Sequence, residues 1–323
     1  MPALPDDPNA KGPGVDADQR KNQADQDGKF RRQASTFRDM ISLGHPHFKP
    51  EKNRYVVYVC ATCPWAHRVL LMIKLKGLEE FVSVVWLHWA LGEQGWYFEP
   101  VDNSCEKDPH YGFTLLSQFY FKADKNYDKR FTVPMLWDLK YETIVNNESS
   151  EIIRMFNTAF NVVLPADKAA IDVYPESLRP EIDKMNEWVY NTVNNGVYKA
   201  GFATTQSAYD ENVYPLFRSL DRLEEILSDG REFLFGSTLT EADIRLFPTI
   251  IRFDAAYFTL FSCNIRMIRY GYPNLQRWLL HLYYDFPAIF KDTTFLEQLK
   301  KGYSTAKTGI APAGPIPIMM ERV

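Results

Sequence analysis

Between Arg54 and Phe160 the apolar residues come in short runs that alternate with stretches of helical spacing. Arg54-Tyr-Val-Val-Tyr-Val-Cys60 is β-branched and aromatic and predicts a buried strand. From Pro64 to Lys76 the apolar positions fall at helical spacing and stop at Gly77, so this strand feeds a helix. Phe81 to Leu87 predicts a second strand and Tyr111 to Phe121 a second helix. Val133-Pro-Met-Leu-Trp137 and Glu142-Thr-Ile-Val145 predict a two-strand meander, and Glu148 to Asn157 a third helix.

From about Tyr174 the strand pattern disappears. Long amphipathic patterns at 175–194, 206–227, 241–260 and 274–285 predict an all-helical second half. Within it, Thr240-Glu-Ala-Asp243 has the form of a capping box, in which each side chain satisfies an unpaired amide at the helix start. The connection 88–130, carrying Trp89, Trp96, Tyr97 and Phe98, is long enough to suggest a functional loop. The tail Thr308–Ile318 is too rich in proline for a helix and too apolar for a free linker, so it is expected to pack on the body.

A chain of 323 residues exceeds the usual single-domain size and points to two domains sharing an interface. With 46% hydrophobic and 15% aromatic residues it can build a sizeable core, while a net charge of -4 without any basic stripe argues against a nucleic-acid partner. Residues 1–28 lack the basic start and apolar run of a secretory signal, so the protein is expected to stay inside the cell, in the cytoplasm. No apolar run reaches the roughly eighteen residues of a membrane span, and four cysteines in a reducing compartment are expected to be thiols.

The candidate chemistry lies in Val59-Cys-Ala-Thr-Cys-Pro-Trp-Ala-His67. If the strand ends near Cys60 and the helix begins at Pro64, Cys63 caps that helix, and its thiolate faces free backbone amides and the positive end of the helix dipole. A stabilisation of up to roughly 2 kcal/mol would leave such a thiol about half ionised at neutral pH. Cys60, at the strand end, is the ordinary buried thiol. In dithiol oxidoreductases the second cysteine follows the nucleophile by three positions, where this chain has Ala66. Cys63 must therefore pass its adduct to an external thiol, for which glutathione is the abundant candidate. An X-Pro bond at Val133-Pro134 can be cis and turn the Val133 backbone toward an extended peptide. Asn147-Glu-Ser-Ser150 opens a helix whose amides and hydroxyls can hold a carboxylate while Glu148 takes an ammonium, although plain helix capping fits that tetrapeptide about as well.

These segments resemble the glutathione transferases, and specifically the Xi class, the glutathionyl-hydroquinone reductases. The resemblance rests on Cys63-Pro-Trp-Ala-His-Arg68, Thr132-Val-Pro-Met-Leu-Trp-Asp138, Ser149-Ser-Glu-Ile-Ile-Arg-Met-Phe-Asn157, Val193-Asn-Asn-Gly-Val-Tyr-Lys-Ala-Gly-Phe202 and Leu239-Thr-Glu-Ala-Asp-Ile-Arg-Leu246. Gly28-Lys-Phe-Arg-Arg-Gln-Ala-Ser-Thr-Phe-Arg38 is similar to the extension that distinguishes this class.

The resemblance implies a partly flexible extension over 1–52 and a thioredoxin-like glutathione-binding domain with a mixed four-stranded sheet over 53–165. An all-helical substrate and dimerisation domain over 166–302 and a packed tail over 303–323 would follow. It implies Cys63 as nucleophile, Tyr198 as acid/base, and Tyr257 and Tyr303 as pocket residues that favour the thiolate. Glutathione contacts would come from Trp96, Arg130, Phe131, Thr132, Val133, Glu148 and Ser149. On residues alone Tyr198, Tyr257 and Tyr303 would be interface tyrosines with satisfied hydroxyls, His67 a packed helical histidine, and Cys105 and Cys263 passive. His45-Pro-His47 lacks further ligands at metal spacing, so no metal is expected. The implied activity is reductive deglutathionylation of S-glutathionyl hydroquinones by a homodimer that touches neither nucleic acid nor membrane. The alternatives are an Omega-like thiol transferase or dehydroascorbate reductase, and a non-catalytic carrier of aromatic ligands.

Overall fold

The computed structural model describes residues 23–306. The first part of the expected extension and the packing expected of the 308–318 tail lie outside the described residues.

Strand β1 (Tyr55–Val59) is buried along its whole length because it is flanked on both sides and covered on both faces. It pairs in parallel with β2 (Val82–Trp86) and antiparallel with β3 (Met135–Asp138), which pairs antiparallel with β4 (Thr143–Asn146). The sheet order is β2-β1-β3-β4, the expected mixed sheet of four strands. An interior strand in such a sheet reads as a continuous apolar run, as the sequence did. Helix α1 (Pro64–Lys76) follows β1 directly, with Pro64 in the first turn and Gly77 at φ 65° closing it through amide bonds to the Ile73 and Lys74 carbonyls. Helix α3 (Ser149–Thr158) packs beside α1, with Glu148 as its N-cap.

The expected helix over 111–121 is shorter: α2 covers only Ser117–Ala123. The preceding residues are drawn into pairing with the other end of the long loop. Phe98 N–H bonds to the Thr114 carbonyl and Leu116 N–H to the Trp96 carbonyl, both at 2.9 Å. The 88–130 connection is thereby laced to itself rather than left open.

The second domain is helical: α4 (Ala166–Ala169), α5 (Arg179–Val189), α6 (Gly196–Gly201), α7 (Gln206–Ile226), α8 (Glu241–Arg252), α9 (Phe258–Leu260), α10 (Ile268–Gly271), α11 (Pro273–Asp285) and α12 (Leu296–Ala306). Two of the long predicted helices end in π-helical turns, Tyr190–Asn194 after α5 and Phe253–Tyr257 after α8. The capping box at the start of α8 forms, and the buried Asp243 Oδ2 accepts the Thr240 N–H at 2.9 Å. Helix α12 was not anticipated, and it runs across the 302/303 boundary expected between body and tail. Tyr303 therefore sits on a helix of the second domain. The two domains share one core, with α1 packed on both α3 and α8, so the amino end of α1 opens at their junction.

Candidate active site at the domain junction

Cys63 occupies the N-cap of α1 with extended backbone angles, φ −76° and ψ 119°. The Val133–Pro134 peptide is cis, and the Val133 carbonyl accepts a hydrogen bond from the Cys63 Sγ at 3.3 Å. The turn that presents the cysteine is held from beneath by Arg252 of α8. Its guanidinium donates to the carbonyls of Ala61 and Thr62 at 3.1 Å each, and to that of Pro248 at 2.9 Å. It also meets His67 Nδ1 at 3.0 Å, which leaves Nε2 to carry the proton toward Thr293 Oγ1, 3.0 Å away. Burial, with Arg252 beside it, pushes the His67 pKa well below the usual imidazole value. The histidine is neutral, packed and no base for Cys63.

The electrostatics correct one expectation. Burial pushes the Cys63 thiol above its ordinary pKa, against the opposing pull of the Ala66 and Trp65 amides and the Arg252 and Arg32 guanidinium groups. The helix start does favour the thiolate, but taking the sulfur out of water costs more than those donors return, so the net push on the thiol is upward rather than downward. Burial raises Cys60 much further, and its carbonyl accepts the Cys63 N–H at 3.3 Å.

A cavity of about 440 Å³ opens over Cys63, walled by Trp96, Thr132, Val133, Glu148, Ser149 and Tyr198 among others. Arg130 and Tyr303 also reach it. Glu148 uses Oε1 to accept from the Ser150 amide (3.2 Å) and hydroxyl (3.0 Å), and Oε2 to accept from Ser35 (3.1 Å). The segment thus caps a helix and faces a cavity at once. Ser149 Oγ accepts from the buried Arg68 at 3.5 Å. Arg130 is held by the extension, its N–H on Gln33 at 3.0 Å and its guanidinium on Gln23 at 2.6 Å. The Phe131 ring is turned into an aromatic cluster with Tyr120, Phe121 and Tyr127, and reaches only an adjoining recess of about 180 Å³.

Three tyrosines brought together from α6, the π-turn after α8 and α12 form a hydroxyl cluster. Tyr198 and Tyr303 are 2.6 Å apart, Tyr257 and Tyr303 2.9 Å, and Tyr198 and Tyr257 3.4 Å. Tyr257 does not line the cavity; the π-turn tucks it into the core, where it packs on Phe253, Phe261 and Tyr303. The hydroxyls of Tyr257 and Tyr303 both meet that of Tyr198. Burial raises the pKa of all three, least for Tyr198, whose anion would accept hydrogen bonds from the other two and face the Arg32 charge.

Sequence reasoning missed Arg252, the turn clamp, and the residues that the extension brings to the cavity, Arg32, Gln33 and Ser35. The segment Gly28–Arg38 stood out as a whole, but nothing in its pattern separates Arg32 from Arg31, which is exposed and paired with Asp25 and Asp27. Cys105 is exposed and Cys263 buried. Among the described residues no group of three or more His, Cys, Asp or Glu could hold a metal ion, and His45 Nδ1 is already taken by the amides of His47 and Phe48. No described helix is long and apolar enough to cross a membrane.

Comparison with known proteins gives the same picture. Residues 62–159 match the glutathione S-transferase N-terminal domain and 206–281 the C-terminal domain. The chain is 52% identical over 298 residues to the glutathione S-transferase omega-like 2 of Schizosaccharomyces pombe, covering 90% of this chain and 95% of that one. It is 47% identical to the glutathionyl-hydroquinone reductase YqjG of Escherichia coli, covering 90% and 89%. The glutathione-bound structure of that protein superposes with a TM-score of 0.81 over 91% of this chain and 96% of that one, at 44% identity. The crystal structure of glutathione S-transferase Xi from Phanerochaete chrysosporium superposes with a TM-score of 0.89 at 53% identity, covering 93% and 97%. A thioredoxin-like domain with a helix-capping cysteine, joined to an all-helical partner, together with identity along nine-tenths of the chain, establishes that this protein belongs to the glutathione transferase superfamily and, within it, to the Xi class, the glutathionyl-hydroquinone reductases.

Proposed function

We propose that the enzyme reductively removes glutathione from S-glutathionyl hydroquinones, with Cys63 as nucleophile and Tyr198 as acid. The observation that carries this reading is that Cys63 and Tyr198 line one cavity, the Tyr198 hydroxyl backed by two further tyrosines. Trp96, Arg130, Thr132, Val133, Glu148 and Ser149 would hold the tripeptide, with Phe131 contributing backbone only. The Val133 carbonyl and amide suit an extended peptide, and the α3 start with Glu148 suits the two charges of a γ-glutamyl group.

Attack of the Cys63 thiolate on the sulfur of the conjugate forms an S–S bond and breaks the C–S bond, whose electron pair must leave with the ring carbon. An aryl carbanion is a poor leaving group, but the keto tautomer of the ring accepts the pair as an enolate, which is the hydroquinone after one proton is added. Tyr198 is protonated at neutral pH and can assist ketonisation or supply that proton. Its phenolate would then accept hydrogen bonds from Tyr257 and Tyr303. A second glutathione thiolate attacks the mixed disulfide, expels Cys63 as thiolate and leaves as oxidised glutathione. Each cycle reduces one aromatic conjugate and oxidises two glutathionyl sulfurs to one disulfide. A cytoplasmic homodimer joined through its helical domains completes the proposal.

The identity to an omega-like relative favours a second reading, thiol transfer on mixed disulfides or dehydroascorbate with the same Cys63. Disulfide exchange needs no acid for a carbon leaving group, so the tyrosine cluster supports the first reading. The test is intact-protein mass after exposure to an S-glutathionyl quinol. One glutathione adduct at Cys63 with freed hydroquinone is expected; an unmodified protein, or better turnover on dehydroascorbate, would reject the reductase reading.

A further inference from the structure

The reaction creates negative charge at two places in the cavity, on the Cys63 sulfur and on the Tyr198 oxygen. Around them stand buried Arg252 beneath the turn, neutral His67 one turn along α1, Cys60, Glu148 at the α3 cap, Tyr257 and Tyr303 from the helical domain, and Arg38, Arg130 and Arg32 at the rim. Arg252 is occupied by three carbonyls and does not line the cavity. Arg38 is paired with Glu151, and Arg130 is held by Gln23. Arg32 differs from them. Its Nε donates to the neutral Asn195 Oδ1 at 2.6 Å, and its guanidinium carbon lies 4.9 Å from the centre of the Tyr198 ring, 4.7 Å from that of Trp65 and 5.3 Å from that of Phe30. Among the described residues no carboxylate pairs with it.

A cation held only by an amide and three ring faces keeps its field available to the cavity instead of spending it on a fixed partner. The extension sets it there from both sides. Gly28 O accepts from Thr204 N–H (3.1 Å) and Lys29 pairs with Glu211 on the helical domain, while Ser35 and Phe37 bond to Asn147 on the thioredoxin-like domain. Gly28 is required at that crossing, since its φ is +79° and a Cβ would lie 2.7 Å from Thr205 Cγ2.

We propose that Arg32 is the charge-tuning residue of this site: laid over the Tyr198 ring and open to the cavity without a carboxylate partner, it favours the anionic forms of the Cys63 sulfur and the Tyr198 oxygen. It acts through those two residues and is a positioning residue. The inference deepens the reductase reading but is tested without any quinol, so the two can fail separately.

Wild type, Arg32→Gln and Arg32→Lys are titrated with iodoacetamide between about pH 6 and 10, a window centred on the usual thiol pKa, and alkylation is followed by peptide mass at Cys63 and at the exposed Cys105. In Arg32→Gln the Cys63 midpoint is expected to move up by about half to one pH unit, which is about three- to tenfold slower alkylation at neutral pH. Arg32→Lys should recover at least half of that loss, and Cys105 should be unaffected in every variant. A Cys63 profile unchanged in the glutamine variant, or a lysine variant as slow as glutamine, overturns the proposal. If Arg32→Gln does not fold, Arg32→Met, which keeps the stem over Trp65 and removes the charge, gives the same comparison.

Discussion

The hydroxyls of Tyr198 and Tyr303 lie 2.6 Å apart although 105 positions separate the two residues along the chain. Tyr303 in turn stands 2.9 Å from Tyr257, so the one tyrosine of the trio that α6 presents beside the nucleophile has two neutral donors behind it. In its proposed role as acid, Tyr198 would leave a phenolate stabilised by two hydroxyls and the Arg32 charge, which would let it release a proton in a buried setting.

Replacing Tyr198 with phenylalanine should therefore separate two chemistries. Turnover of a hydroquinone thioether is expected to fall about a hundredfold, the size of a lost general acid, whereas exchange with a small glutathione disulfide should change by less than about threefold because sulfur leaves without protonation. Tyr303→Phe should give a smaller loss on the thioether alone. Stopped-flow rates on the two substrates decide it, and equal slowing would assign Tyr198 a structural role.

Cys63→Ser is expected to reduce turnover by at least about a thousandfold, as loss of a covalent nucleophile does. Glutathione binding, measured by calorimetry, should persist, because the proposed peptide contacts lie on Val133, Glu148 and Ser149. Residual turnover near wild type would remove Cys63 from the mechanism.

The pH dependence follows from the upward push of burial on Cys63. The neutral thiol dominates below its raised pKa, so the reactive thiolate grows as pH increases. With one proton lost, kcat/KM should climb about tenfold per pH unit from about pH 6 to 8. A rate already level at pH 7 would mean that the sulfur is ionised there.

Asp243 carries a stability prediction. Its two buried oxygens accept from the Leu234 N–H, the Thr240 N–H and hydroxyl, and the Trp278 indole, all at 2.9 Å. Asp243→Ala takes the acceptor from all four donors in the core and should cost about 3 kcal/mol or more in denaturant titration. Asp243→Asn, which keeps one carbonyl acceptor, should cost less.

Much of the fold was legible because the deciding interactions are local. The β1-to-α1 unit was written in an apolar run, a proline and a terminal glycine, and the capping box in four consecutive residues. The second helix was overestimated because the backbone at Thr114 and Leu116 bonds to the loop at Trp96 and Phe98, a partner far off in sequence. Helix α12 went unseen because little in 296–306 distinguishes a packed helix from the start of a tail. At the site, the position of Cys63 at a helix start could be read directly, and the resemblance singled out Tyr198. That Tyr257 turns away from the cavity, that the Phe131 ring joins an aromatic cluster, and that Arg252 and Arg32 converge on the cysteine could not be read.

The sequence by itself determined that a cysteine would cap a helix and that a helical half would follow one of alternating strands and helices, since spacing, proline and glycine act over a few residues. Only the tertiary structure decided which way burial pushes that cysteine and which groups surround it. Burial is a property of everything packed around an atom, and here that packing comes from parts of the chain far apart in sequence.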